Sequence, residues 1–464
     1  MRHRRLGVGL SLLAASALAL SACGSGGGAD APASGADGGS DGAASGERQD
    51  LELWFWGTPP AHREVMESVL VDGFNASQDE YTLTVTYNEK VDSNIQTALA
   101  ANEGPDVVYG SGPAFVGLYA QSGKLVNLDP YAEQYGWKDK VLTPIYESGT
   151  VDDSLYAVAN SLNTIGIFYN KAVLDDLGHD VPTNLDELEA VLEAAGEAGL
   201  YPSVTGNKGW QPVNENYSSM FLTAVAGPQN MYDVLTGAKS WTDQPFVDAV
   251  QMSADWYQNG FLGGGQYPNL NFNESMQLLA DKQSPFFFGP TLAFQFATEF
   301  FNEEAGNVED LGFVPFPTVT DGLEEPLFTL ATTASFSVNA ASDHQDGAAA
   351  VIDYMLNPDF AQQMTEVWPG YWAVPLNGLE FDASQMSGLA PAFAEAIGQL
   401  VPAVEDGRFG YFSGTFFPPQ TQTQMIDIDT VWLGQDTAQE FLEGIETTFS
   451  QELADGAVPP IPQP

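Results

Sequence analysis

The sequence predicts an α/β fold made of two domains. From Leu51 onward, strand patterns of period two alternate with helical patterns of period 3.6, which implies a parallel sheet with helices on both faces. Residues 51–464 exceed the roughly 300 residues beyond which a single core stops growing. Apolar residues make up 44% of the chain, and the one cysteine, Cys23, can form no internal disulfide, so the fold must rest on buried apolar surface.

Leu51 to Trp56 reads as a strand, with Trp54 inside it expected in the core. A helix from His62 to Phe74 lines up Met66, Val69, Leu70 and Phe74 on one face. Tyr81 to Tyr87 alternates aromatic or aliphatic residues with threonines, as a strand does. Val91 to Ala101 is a helix with Ile95 and Leu99 inward, Asp106 to Tyr109 a short buried strand, and Pro113 to Ser122 a helix opened by proline. A strand pair is expected at Leu155–Ala159 and Ile165–Tyr169, followed by a helix that Thr183 caps with Asp186. Further helices are expected at 218–226, 245–259, 274–281 and 347–355, and strands at 285–288, 311–314 and 336–338. Helical segments dominate from Ala390 to Leu453.

The first fifty residues predict export. Arg2, Arg4 and Arg5 precede a short apolar stretch, Leu6 to Leu20, and then Leu20-Ser21-Ala22-Cys23. A basic start, a short apolar core and small residues before a cut site make a secretory signal at residues 1–22. The core is too short and too rich in Gly and Ser for a spanning helix, which needs about 20 apolar residues. Residues 23–50 are nearly all Gly, Ala, Ser and Asp, a composition that acts as a flexible tether.

The chain carries 14 Lys plus Arg against 62 Asp plus Glu, a net charge of −48. Removal of the signal takes three arginines with it and leaves 11 basic against 62 acidic residues, or −51. Nucleic acid is excluded as a partner, because phosphate binding needs clustered Lys and Arg. His3, His62, His179 and His344 are scattered without metal-ligand spacing, so neither a metal nor another cofactor is expected. No Gly-x-Ser-x-Gly elbow appears. Paired carboxylates for glycoside hydrolysis remain open, since acids are abundant.

Four sets of segments resemble the extracellular solute-binding proteins of carbohydrate importers, the maltose-binding-protein-like family. They are Gly104-Pro105-Asp106-Val107-Val108-Tyr109 with Leu118 to Leu125; Leu155-Tyr156-Ala157-Val158 with Ile167 to Lys171; Phe286 to Pro290 with Gly312 to Pro317; and Phe336 to Asn339 with Asn357 to Ala361 and Gly370 to Pro375. The site around Cys23 resembles the lipobox of bacterial lipoproteins, in which that thiol is acylated and becomes the mature N-terminus. The resemblance implies a type II periplasmic-binding-protein-like fold, two α/β lobes each with a sheet flanked by helices, closing as a hinge about crossovers near Ala159, Ala334 and Ser384. Lobe 1 would comprise residues 51–159 and 335–384, and lobe 2 residues 160–334 and 385–464. It implies a non-enzymatic, monomeric lipoprotein on the outer face of the cytoplasmic membrane, anchored through Cys23, that delivers a sugar to an ABC-type permease.

Ligands of open parallel sheets lie beyond the carboxyl ends of the strands. Those ends supply Trp56, Thr58, Asn88, Glu89 and Ser111; Asn160 and Asn163 lie at the crossing. Trp210, Asn214 and Gly289 come from the second lobe, and the family places Tyr371 and Trp372 beside the cleft. A pyranose packs its C–H face on aromatic rings and needs fixed donors and acceptors for its hydroxyls. This set offers both. The same aromatics could instead cage a quaternary ammonium or polyamine, toward which the acidic surface would steer a cation.

Overall fold

The computed structural model describes residues 48–464 except 111, 209–212 and 264–267. The expected signal at 1–22, Cys23 and nearly all of the 23–50 tether lie outside these residues, as do Ser111 and Trp210. The described residues include the chain just before Leu51, where Arg48 donates to the carbonyls of Asn75 and Gln78 and pairs with Asp79.

Ten strands are described: β1 Gln49–Trp56, β2 Tyr81–Asn88, β3 Val107–Gly110, β4 Thr150–Val151, β5 Ser154–Leu155, β6 Val158–Asn170, β7 Phe286–Pro290, β8 Leu311–Pro315, β9 Phe328–Val338 and β10 Phe409–Tyr411. Eight of them form one sheet in the order β2-β1-β3-β9-β6-β7, with β10 beside β9 and β8 beside β6. β4 and β5 make a separate hairpin.

The expectation of a parallel sheet holds only for part of it. β2, β1 and β3 run parallel, as the alternation with helices requires, but β9 joins β3 antiparallel, and β6 runs antiparallel to β9, β7 and β8. The expected pair at 155–159 and 165–169 is also corrected. Residues 158–170 form one unbroken strand. Its polar centre, Asn160-Ser161-Leu162-Asn163-Thr164, suggests a turn in sequence, yet contains no Gly or Pro to make one. All five residues are buried against β9 and the chain around Tyr371. β9 is longer than the expected 336–338 for the same reason: its Thr329, Thr332 and Ser335 are polar but buried.

β1 buries Leu51, Leu53 and Phe55 and leaves Trp54 and Trp56 half-buried on the other face, so Trp54 is not the core residue its position suggested. The helical run over 60–77 contains a π-helical stretch at Met66–Val71 and buries Met66, Leu70 and Phe74. The helix Leu185–Glu197 is capped one residue later than expected. Asn184 accepts from Glu187 N, while the Glu187 carboxylate takes both the N–H and the hydroxyl of Thr183.

Candidate functional site

The parallel strands fix the first side of the site. Trp56 pairs with Asn88 in register, and Leu53 with Val107, so the carboxyl ends of β1, β2 and β3 lie side by side. Beyond β1 the chain turns at once, with Thr58 N donating to Trp56 O at 2.7 Å. The Glu89 carboxylate lies close over this turn: a Cβ on Gly57 would meet it at 2.5 Å. Arg63 holds the turn from outside: its Nε donates to Thr58 O at 2.7 Å and its guanidinium lies 5.0 Å from the Tyr87 ring centre. Beyond β3, Gly112 takes φ +137°, and a Cβ there would lie 3.0 Å from Thr332 Oγ1. It opens the helix Pro113–Gln121 against β9 and the Thr415 side chain.

β6 and β9 form the floor. Asn163 Oδ1 accepts from Thr291 Oγ1 at 2.7 Å and from Leu292 N at 3.1 Å, tying β6 to the chain that leaves β7. Asn160 turns its amide toward Met355 Sδ, 3.5 Å away, and its Oδ1 has no hydrogen-bond partner. The hydroxyls of Thr58, Thr164, Thr332 and Thr333 and the Asn88 Nδ2 are also buried without partners. An unpaired buried polar atom costs about 1–3 kcal/mol, and these lie at the strand ends and along β6 and β9.

An aromatic wall stands beside it. Trp56 Nε1 donates to Tyr371 Oη at 3.1 Å, with ring centres 5.9 Å apart. Tyr371 stacks on Trp368 at 4.9 Å, and Trp368 on His62 at 4.2 Å. Trp368 Nε1 donates to Gln295 Oε1 at 3.0 Å. Burial, and then the neighbouring Tyr109 phenol, hold the Tyr371 hydroxyl well above its usual pKa, so it stays protonated. Burial lowers the His62 pKa, which favours the neutral ring.

Several residues expected at the site take other places. Trp372 is fully buried, parallel to Phe55 and Phe336 and edge-on to Phe360, so its ring belongs to the core under the wall. Asn214 is internal: its Nδ2 donates to Ile426 O and its Oδ1 accepts from Asn207. Gly289 is buried where β7 pairs with β6. Trp56, Thr58, Asn88 and Glu89 do gather at the strand ends, Asn160 and Asn163 at the crossing, and Tyr371 in the wall. Sequence reasoning missed Arg63, His62, Trp368, Gln295 and Thr332. Only Trp368, three residues before Tyr371, carried a local signal.

Beside Asn214, Glu215 is buried on the helix Val213–Phe221, with Gln422 Nε2 donating to it at 2.9 Å. Burial pushes its pKa up to about 7, against the smaller lowering effect of Gln422. A separate cavity of about 470 Å³, lined by Leu118, Asp152, Pro419 and Pro459 among others, takes in none of the strand-end residues. Among the described residues, no group of three or more His, Cys, Asp or Glu is placed to hold a metal, and no helix is long and apolar enough to cross a membrane.

Residues 61–362 match the family described as bacterial extracellular solute-binding protein. The chain belongs to that family. Among curated relatives, a probable sugar-binding periplasmic protein of Brucella melitensis is 25% identical over 266 residues, 49% of this chain and 62% of that protein. The match thus spans about three fifths of the relative's length. Among solved structures, this solute-binding protein resembles a chitin oligosaccharide binding protein, with TM-score 0.72, 18% identity, and coverage of 88% of this chain and 100% of the other. It also resembles the sugar-binding protein MalE of Xanthomonas citri, with TM-score 0.69, 18% identity, and coverage of 88% and 98%. The solute-binding protein therefore has the type II periplasmic-binding-protein fold, here with hydrogen bonding continuous through β6 and β9.

Proposed function

We propose that this solute-binding protein captures a sugar or oligosaccharide outside the cytoplasmic membrane and delivers it to an ABC-type permease. The observation that carries the reading is Trp56. Its indole is half-buried at the end of β1, fixed through Nε1, and set among the unpartnered Thr58 hydroxyl, the Asn88 amide and the Glu89 carboxylate. A stacking ring flanked by hydrogen-bonding groups suits a pyranose, whose C–H face and hydroxyls need different partners. The relatives named for sugar binding support the same reading. Ser111 and Trp210 remain part of the proposed site from their positions in the sequence.

The proposal divides the chain into lobe 1, residues 51–159 and 335–384, and lobe 2, residues 160–334 and 385–464. It makes the protein a monomer anchored by acylated Cys23. A Cys23→Ser variant is expected to leave the membrane fraction and appear in the medium or periplasm while still binding its sugar. The ligand class is tested by thermal shift against mono- and oligosaccharides, with choline and spermidine as cationic controls. A sugar at 100 times its Kd adds about 2.7 kcal/mol of stability. A shift with a cation that disappears in salt, and none with any sugar, would refute sugar capture in favour of the caged-cation alternative.

A further inference from the structure

We propose that Tyr371 and Trp368 are positioning residues that orient Trp56, and that they link it to the opposite half of the sheet through Gln295. The part of this that concerns ligand affinity rests on the sugar reading above; the part that concerns Trp56 itself does not.

A half-buried indole can rotate about its side-chain bonds unless something holds it, and a stacking platform is useful only when its face is fixed. The Trp56 N–H is held by the Tyr371 hydroxyl at 3.1 Å. Tyr371 is itself immobile: it is buried, stacked on Trp368 at 22° between ring planes, edge-on to Phe55 at 5.8 Å, and held by the Ser161 hydroxyl at its backbone carbonyl. Trp368 is fixed in turn by His62 on its ring and by the Gln295 carbonyl at its N–H.

Gln295 belongs to the other half of the sheet. It follows β7, which pairs with the far end of β6, whereas Phe55 and Trp372 belong to the β1–β3 half. The two segments meet backbone to backbone. Gly370 has φ +104°, and a Cβ on it would sit 2.6 Å from Gln295 N and 3.1 Å from Leu292 O. Leu292 N is the group that Asn163 of β6 holds. A contiguous chain of contacts therefore runs from Asn163 through Leu292, Gly370, Trp368 and Tyr371 to Trp56. Separation of the two halves would break the Trp368–Gln295 bond and remove the support beneath Tyr371. The orientation of Trp56 is then a property of both halves together, not of β1 alone.

The direct test needs no ligand. In protein labelled with 15N-tryptophan, the Trp56 indole N–H signal is assigned by its loss in Trp56→Phe. Tyr371→Phe keeps the ring and removes only the hydroxyl, and is expected to move or broaden that signal. Gln295→Met, which touches neither Trp56 nor Tyr371, is expected to perturb it too, and Gln295→Glu, which keeps an acceptor oxygen, to restore it. An unmoved Trp56 signal in Tyr371→Phe, or in Gln295→Met with the Trp368 signal displaced, overturns the proposal.

The second arm uses maltotriose, raffinose and diacetylchitobiose as probes. For any that bind the native protein, Tyr371→Phe is expected to weaken affinity roughly fivefold and to have no further effect in a Trp56→Phe background. Additive losses would mean that Tyr371 acts on the sugar without Trp56, and would overturn its role. Failure of all sugars to bind the native protein refutes the sugar reading and leaves the spectroscopic test decisive for the positioning role.

Discussion

Replacing Glu215 by glutamine is expected to make the protein more stable at neutral pH and no different in acid. The folded carboxyl titrates near 7 because burial disfavours its charge, against an unperturbed value of 4.5. Below about pH 4.5 both states hold the proton and the group contributes nothing to the pH dependence. As pH rises from 4.5 toward 7 the unfolded chain releases the proton and the folded chain keeps it, so stability falls; above 7 both are ionised and the loss levels off. A shift of about 2.5 units at 1.36 kcal/mol each gives roughly 3 kcal/mol as the upper size of that loss. Glutamine has nearly the same shape and keeps a carbonyl to accept from Gln422, so the variant carries the packing without the titration. Urea melts of both proteins between about pH 4 and about pH 8 isolate this one group, since the other acids cancel in the difference. A stability difference that is flat across that range would refute the buried, proton-holding assignment.

Trp372→Ala is expected to cost about 3–5 kcal/mol of stability and to leave the affinity of the folded fraction nearly intact, whereas Trp56→Ala is expected to reduce sugar affinity about thirtyfold with little change in melting temperature. Paired melting and titration measurements on the two variants separate core from site. Gly112→Ala forces a side chain into a conformation that favours glycine and toward Thr332, and is expected to cost about 1–3 kcal/mol by denaturant melting. Glu452 caps the helix Pro419–Met425 by accepting from the N–H groups of Gln420 and Thr421 and the Thr421 hydroxyl; Glu452→Ala is expected to cost about 2 kcal/mol in the same assay.

The first half of the sheet was readable because local signals agreed there. In β1 and β2 the burial alternates with the sequence, and the helices that follow them carry Met66 and Leu70, then Ile95 and Leu99, at helical spacing. The crossing strands were read poorly because their polar residues are buried. Asn163 and Ser335 look like loop residues until Thr291 and the Gly110 carbonyl are found beside them. Strand ends were legible as places, which is why the positions of Trp56, Thr58 and Asn88 could be read. Trp372 could not be told from Tyr371, since adjacent aromatics in one loop differ only in which way they face. Trp368 and Gln295 meet across 73 positions of sequence, a pairing that no local pattern carries.

The contact between Trp56 and Tyr371 joins residues 315 positions apart. β3 likewise has to wait for β9 before its outer edge is paired. Contacts of such long sequence separation form slowly, because the loops that precede them must close before anything rewards the closure. During synthesis the N-terminal strands emerge without the partners that complete them, and the site cannot be assembled until the segment around Gly370 has followed. A chain with this wiring stays unfinished through most of its length.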